Sequence, residues 1–440
     1  MSASKHWGMM ISTVVLFAAT ATAGEAEFYR LLEMLLQNGT LTQQQYDSLR
    51  GALDDDGVAS EALEAEAPRV AVDTAGGLEV STDDGAFSFG LGGRLMIDSA
   101  FYREDTNDLG DGTELRRTRL EAEGMLFSDY AYELGVDFAG SDADVKDAFI
   151  EYLGLWPATI RVGQFKEPFS LEELTSSKYM TFMERALPNA LAPGRHIGIG
   201  LGSRGSGWTA AGGVFGESFD DDVSDEGDEG WGITGRVTYA PWREDRRALH
   251  FGAALSHRVP DETKEIELDT RPESHITDVR YLNTGRITDV SHLDLAGLEA
   301  AWVEGPFSLQ GEYVAAAVDR GAGQSNLAFD GWYLYGSWLL TGESRNYKPK
   351  AGKFGRIRPI APGGAWELAL RYSSLDLNDD DVAGGRAGQM TVGLNWYLNA
   401  HTRLMANYIR VDNDANADDD GDVAGDDDPR IIQLRAQIDF

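Results

Sequence analysis

The sequence predicts an all-β chain, a 16-stranded antiparallel transmembrane β-barrel with a short N-terminal helical extension. Three observations predict it. The chain ends on IIQLRAQIDF, where Ile432, Leu434, Ala436, Ile438 and Phe440 share one face and Gln433, Arg435, Gln437 and Asp439 the other. That is the period of two of a strand with one apolar side. Upstream, strand after strand puts acids and arginines on the face opposite the apolar one, and a soluble sandwich would have to bury that face. Apolar outside and polar inside is the pattern of a membrane barrel. Connections also alternate between short turns and long loops.

Taken in order, residues 1–23 read as a secretory signal. Lys5 and His6 precede an apolar core from Met9 to Ala19, and Ala21-Thr22-Ala23 offers a small-x-small cleavage site. Residues 24–55 read as a periplasmic helical hairpin. Phe28, Leu31, Leu32, Leu35 and Leu36 keep helical spacing, and Asn38-Gly39 stops that helix. Thr42 and Gln45 make a capping box for a second helix, with Leu41 and Tyr46 as its hydrophobic staple. Residues 56–85 read as a linker, and 86–440 as the barrel.

Within the barrel, alternation places strands near 87–101, 115–127, 130–138, 145–154, 159–165, 196–202, 208–215, 231–239, 249–258, 293–303, 307–318, 329–340, 365–375, 389–398, 402–411 and 431–440. Long loops are expected at 103–113, 166–195, 216–230, 259–292, 376–388 and 412–430. Short turns should be periplasmic and long loops extracellular. Segment 341–364 is long where a short turn is due. Aromatic pairs at strand ends (Tyr239 and Trp242, Trp302 and Phe307, Trp332 and Trp338, Trp396 and Tyr397) suit interfacial girdles. Sixteen strands enclose an aqueous channel.

Composition narrows the function. There is no cysteine, so disulfides, thiolate metal sites and a cysteine nucleophile are excluded. A formal net charge of −35 argues against nucleic acid as a partner. Much of the excess sits in two acidic runs, Asp220 to Glu229 and Asp412 to Asp428, which read as solvated loops. No G-x-S-x-G, H-E-x-x-H or P-loop is present, and the seven histidines are scattered singly, so no enzyme is expected.

The most informative loop runs from Gly163 to His196. Its length and amphipathic character suit a segment folded inward to narrow the pore. Lys166, Ser176, Ser177, Lys178 and Arg185 supply hydrogen-bond donors and positive charge, a combination suited to an anion. Equally, these groups can tie the loop to the wall through Glu167, Glu172, Glu173 and Glu184.

Five segments, RRTRLEAEG, DAFIEY, RVGQFKEPFSLEELTSSKYMTFMER, GSWLLTGESRNY with KFGRIRP, and AWELALRYSSLDL, resemble the phosphate-selective porin O/P family over 87–440. The resemblance implies a trimeric outer-membrane porin with the third loop as constriction. It also implies an arginine ladder along the pore and a basic periplasmic mouth. Inward faces offer Arg94, Arg117, Arg119, Arg236, Arg371, Arg403 and Arg435 as the ladder. Segment 341–364 offers Arg345, Lys348, Lys350, Lys353, Arg356 and Arg358 as the basic patch. The expected solutes are small anions such as phosphate, crossing passively.

The chain departs from that pattern at Glu173, and inward acids (Glu121, Glu123, Glu133, Asp137, Glu367) offset part of the ladder. A carboxylate ~4 Å from a bound anion would cost about 4 kcal/mol at an effective dielectric near 20. A non-selective or cation-preferring porin is therefore a second expectation. A third is a structural or adhesive barrel with a plugged lumen. In the last acidic loop Asn416, Asp418, Asp420, Gly421, Asp422 and Asp427 match the spacing of a calcium loop. Such a loop would hold Ca2+ or bridge through divalent ions to lipopolysaccharide and membrane lipid.

Overall fold

The computed structural model describes residues 33–34, 36–37, 42–47, 70–73, 77–140, 142–219, 228–321 and 323–440. The expected signal, most of the first helix with its Asn38-Gly39 stop, the staple residue Leu41 and most of the linker lie outside them. The chain divides into two compact units, Met1–Arg69 and Val70–Phe440. In the first, 43–47 is helical behind the expected capping box. Thr42 N donates to Gln45 Oε1 at 3.0 Å, and Gln45 N to Thr42 Oγ1 at 3.4 Å.

The second unit opens on a hairpin, β1 (Val70–Asp73) and β2 (Leu78–Thr82). Sixteen barrel strands follow, interrupted by two small hairpins. They are β3 (Ser88–Arg103), β4 (Gly112–Leu126), β5 (Tyr130–Asp137), β6 (Asp144–Tyr152), β7 (Ala158–Lys166), β8 (Arg195–Arg204), β9 (Trp208–Phe215), β10 (Trp231–Glu244) and β11 (Arg247–Val259). After a small ladder of β12 (Asp269–Thr270) with β13 (Leu282–Asn283) come β14 (Val290–Glu304), β15 (Phe307–Arg320) and β16 (Leu327–Leu339). A second ladder of β17 (Asn346–Lys348) with β18 (Lys353–Gly355) precedes β19 (Ala365–Asp379), β20 (Val382–Tyr397), β21 (Thr402–Asn413) and β22 (Arg430–Asp439). Each expected strand is present. Every neighbour pair is antiparallel, and β22 pairs β3 to close the barrel, with Arg435 opposite Asp98 and Asp439 opposite Arg94.

Side-chain direction follows the alternation. On β22, Ile432, Leu434, Ile438 and Phe440 are exposed on the outer face, while Gln433, Arg435, Gln437 and Asp439 are buried inside. Closure constrains β3 as well. A Cβ on Gly92 would stand 2.8 Å from the Phe440 carbonyl oxygen, and one on Gly93 2.4 Å from that of Arg119. At the short-turn end, outward rings stack in pairs. Trp366 lies on Trp396 at 5.1 Å and Phe307 on Trp338 at 5.7 Å. That is the geometry of an interfacial girdle. Tyr397 departs from it: it faces inward and donates to Glu367 at 2.7 Å.

Three expectations are corrected. The stretch 70–82 lies within the supposed linker but is a hairpin that extends β3 beyond the end of β22, with Leu78 opposite Leu91. Its strands are too short for alternation to register. The supposed long loop at 376–388 is a tight turn, because β19 and β20 continue to Asp379 and Val382. Its run of aspartates is polar because it stands clear of the apolar band. Nor is the inner wall polar throughout. Val290, Leu295, Val314, Val318, Phe329, Leu375, Ile409, Val411 and Ile431 all face inward in one buried cluster. They are covered by Phe169, Leu187 and Leu191 of loop 167–194 and by Tyr281, Leu282 and Ile287 of loop 260–289. Apolar wall facing the lumen is stable where folded loops, rather than water, lie against it.

Candidate functional site

Loop 167–194 carries one helical turn, α1 (Leu171–Leu174), and two 3-10 turns. The N-terminus of α1 is capped from the wall. Glu312 of β15 accepts from Leu171 N at 2.9 Å and from Glu172 N at 2.7 Å, placing negative charge where a helix leaves its amides free. Arg185 closes the other end, donating to the carbonyls of Glu172, Glu173 and Thr175 at 3.1–3.3 Å.

Five of the seven expected ladder arginines hold this loop, and Arg119 and Arg236 pair within the wall. Arg403 donates to Met180 O at 2.6 Å and Ser177 O at 3.2 Å. Arg435 donates to Met183 O at 2.6 Å and bridges Asp98 and Glu184 at 2.6 and 2.7 Å. Arg94 donates to Ser177 Oγ at 2.8 Å and pairs with Glu121. Arg371 reaches Glu184 O at 3.0 Å and pairs with Glu273 at 2.5 Å, while Glu172 lies 3.5 Å away. Arg117 is buried beside Glu184 at 3.9 Å. Arg119 pairs with Asp137 at 2.6 Å, and Arg236 with Glu299 at 2.5 Å. All seven face inward, as the alternation requires, and all seven are hydrogen-bonded or paired within the protein.

The expected anion donors of the loop are likewise engaged. Lys166 pairs with Glu173 at 2.6 Å, and Lys178 with Glu121 at 2.7 Å. Ser176 caps Lys178 N at 3.4 Å. Glu173 is not the repulsive carboxylate its position suggests. It is buried between Lys166 and Arg185 (2.6 and 3.1 Å). Burial pushes its pKa up, but Arg185 and Lys166 outweigh burial and hold it down to about 2. Glu184 is treated alike: against burial, Arg116, Arg117 and Arg435 keep it well below the usual carboxylate range.

Segment 341–364 is corrected more strongly. It folds into the lumen instead of forming an open patch. Phe354 packs with Leu171, Ala248, Ala301 and Val303, so the segment meets α1. Gly352 O accepts from Arg236 at 2.8 Å, and Tyr347 Oη lies 2.7 Å from His250 Nδ1. Arg345 is buried over the Phe354 ring at 3.6 Å and donates to Gln310 at 3.1 Å. Arg356 pairs with Asp439 and reaches Tyr179 Oη at 3.4 Å, and Lys348 sits 5.7 Å from the same ring. Arg358 lines a pocket at the short-turn end with Pro362 and His401.

Lys350 and Lys353 reach the open part of the lumen. They line a chamber of about 440 Å3 with the small inward residues of β8 and β9 (Gly200, Gly202, Ala211) and with Thr159 and Thr209. Arg161, Lys166, Arg204 and Arg236 complete its cationic lining, and Glu151 is the acid among the described residues there. Arg161 pairs with Glu151 at 2.7 Å and lies over the Phe149 ring at 4.1 Å. Burial first, then the neighbouring Arg161, lower the Lys353 amine from its ordinary range. Arg161 and Arg204 were not singled out by the sequence reading. The signal was there: Thr159 and Arg161 alternate on one face of a strand whose other face, Ile160 and Val162, is apolar.

The candidate calcium ligands of the last acidic loop have protein partners of their own. Asp427 is buried in a different task, accepting from Thr106 N at 2.8 Å, Asn107 Nδ2 at 2.8 Å and the Tyr281 hydroxyl. Asn416 donates to Asn378 at 2.9 Å, and Asp418 caps Gly421 N at 3.1 Å. Asp420 lies against Gly285, and Asp422 donates its amide within the loop's own turn. Among the described residues, the grouping of three metal-type donors lies elsewhere, at His257, His292 and Asp294.

A profile of the family described as phosphate-selective porin O and P matches residues 89–440. The chain belongs to this family. Porin O of Pseudomonas aeruginosa is 32% identical over 401 aligned residues, covering 80% of this chain and 90% of that one. An uncharacterised protein of Caulobacter vibrioides is 32% identical over 345 residues, 74% of this chain and 69% of the other. Among solved structures, an anion-selective porin from Comamonas acidovorans aligns with TM-score 0.52 at 17% identity, covering 80% of this chain and all (100%) of that one. The trimer form of OmpT, an outer membrane protein of Vibrio cholerae, aligns with TM-score 0.51 at 13% identity, covering 81% and 100%. Family and fold place the chain in the outer membrane, among channels rather than enzymes.

Proposed function

We propose that this protein is an anion-preferring diffusion channel for small solutes such as phosphate, working as a homotrimer. Loop 167–194 narrows its lumen from the long-loop side, and segment 341–364 narrows it from the short-turn side. The supporting observation is the chamber beside them. Its lining carries Arg161, Lys166, Arg204, Arg236, Lys350 and Lys353 against Glu151. A ring of like charge sets the sign of the permeant ion. Several donors on one small volume replace part of an anion's hydration shell, and shared, partly paired donors keep each contact weak enough to release it. In this reading the ladder arginines shape the pore, and the lysines and Arg204 meet the solute.

The reading is supported further by the family and by the Comamonas acidovorans porin, whose name states anion selectivity. A trimer is in keeping with the OmpT trimer form. Inward Glu123 and Glu133 on β4 and β5 favour the second reading, a weakly selective porin, because neither has an ion-pair partner among the described residues and both face the open side. Reversal potential across planar bilayers under a salt gradient tests the two. Anion preference, with chloride current blocked by added phosphate, supports the first. Cation preference overturns it and leaves the second, and absence of conductance would instead support a plugged, structural barrel.

A further inference from the structure

The sequence scatters its histidines singly, but the barrel brings two of them together with an acid. We propose that His257, His292 and Asp294 form a transition-metal site on the outer face of the wall, at the end that carries the long loops. His257 on β11 stands directly opposite Asp294 on β14. His257 Nδ1 lies 2.7 Å from Asp294 Oδ1. His292, two residues before Asp294 in an unbroken ladder, lies on the same face. There its Nε2 lies 3.6 Å from Asp294 Oδ2, and its ring centroid 5.1 Å from that of His257. One ligand atom from each residue falls within 4.8 Å of the others.

These separations bracket the ~3.3 Å edge of a tetrahedron whose metal–nitrogen and metal–oxygen bonds are about 2.0–2.2 Å. Two imidazoles and one carboxylate form a donor set that suits zinc, nickel or copper, whereas calcium and magnesium take oxygen ligands. Three protein ligands leave a fourth position for water or an external donor. All three side chains are a third to a half exposed on the outer face, so an ion reaches them without entering the lumen. The supporting residues are fixed by strand pairing on both sides, and the Trp231 ring of β10 lies tilted against His257 at 5.9 Å. Rigid strands hold ligands in place better than a loop does.

The same atoms allow an alternative, a plain ion pair between a protonated histidine and Asp294. Zinc titration of the purified full-length protein in detergent separates the two, with calcium in large excess to saturate the aspartate loops. The site predicts one zinc ion per chain at micromolar affinity, weakened at least ~10-fold in His257→Ala and in His292→Ala and unchanged in His275→Ala. Unchanged single-channel conductance in each variant would confirm that the barrel is intact. Absence of saturable binding, displacement by calcium, or undiminished binding in a His257→Ala/His292→Ala double variant would each overturn the proposal.

Discussion

Along β19 to β22 the inward side chains are buried almost without exception; along β4 to β6 most remain partly exposed, Arg117 and Asp137 excepted, and Glu123 is open. Both sides are antiparallel with the same in-out alternation, and they differ in what the inward positions carry. On the buried side apolar residues, Leu375, Ile409, Val411 and Ile431, lie toward the long-loop end, and arginines, Arg371, Arg403 and Arg435, lie below among polar residues such as Ser373, Thr391, Asn395 and Gln433. Apolar residues recruit a cover, and buried guanidiniums need carbonyls and carboxylates, which loop 167–194 and Glu273 supply. On the other side the inward positions of β8 and β9 include Gly200, Gly202 and Ala211. Small residues offer nothing for a loop to grip and leave room for solute. The channel is therefore off-centre, and the arginines on its buried side are architecture.

Removing Arg435 should break that division most severely. Its guanidinium is 1% exposed and joins Asp98, Glu184 and the Met183 carbonyl. Arg435→Ala leaves two buried carboxylates facing each other, a loss of about 3–5 kcal/mol. Chemical denaturation should show it, and single-channel current should become larger and noisier as the loop detaches. A variant of unchanged stability and quiet current would mean that the loop is held by other contacts. Glu312→Ala acts on the same loop through fewer contacts. It frees the Leu171 and Glu172 amides in a buried place, at about 1–2 kcal/mol, and should show the same change of current in weaker form.

Acid gives a milder handle on the same lock. The Glu173 carboxyl ordinarily titrates near 4.5 and is held at about 2 in the folded chain. A depressed pKa contributes stability that is complete above the unfolded value and is lost as pH falls through the folded one. Conductance should therefore be level from pH 7 to about 5, and loop opening should begin only below about pH 4. Glu173→Gln should blunt that acid limb. A step in conductance between pH 7 and 5 would show that another group controls the loop.

The strands were legible because alternation is a local signal, and a lipid-facing side repeats it sixteen times. The closing pair followed from it: with β22 facing as the alternation requires, Arg435 had to meet β3, and it meets Asp98. What the chain order hides is pairing at long separation. Arg403 is tied to Met180 and Arg371 to Glu273, and no spacing rule links residues so far apart. Every ladder arginine was read correctly as inward, yet facing inward does not say whether water or protein waits there. The same gap explains segment 341–364. Its six cations read as an exposed patch, while Tyr347, Phe354 and Ile357, which bury it, are too few to mark an inward fold. Arg161 has the inward phase on its strand, yet phase alone does not tell open lumen from packed loop.

The smallest effect on stability is expected where the effect on permeation decides the function. Lys350 and Lys353 line the chamber, and no carboxylate lies within ion-pairing distance of either among the described residues. Replacing both by Gln removes two charges without leaving a buried partner, so stability should stay within about 0.5 kcal/mol. The chamber would retain Arg161, Lys166, Arg204 and Arg236, of which Arg161, Lys166 and Arg236 are already paired. Anion preference should then fall several-fold, and phosphate should block chloride current less. Replacing Arg403 by Gln should do the reverse, disturbing the loop while leaving the sign of selectivity unchanged. If selectivity instead followed Arg403 and ignored the two lysines, solute would be running past the arginines on the buried side, and the off-centre channel would have to be abandoned.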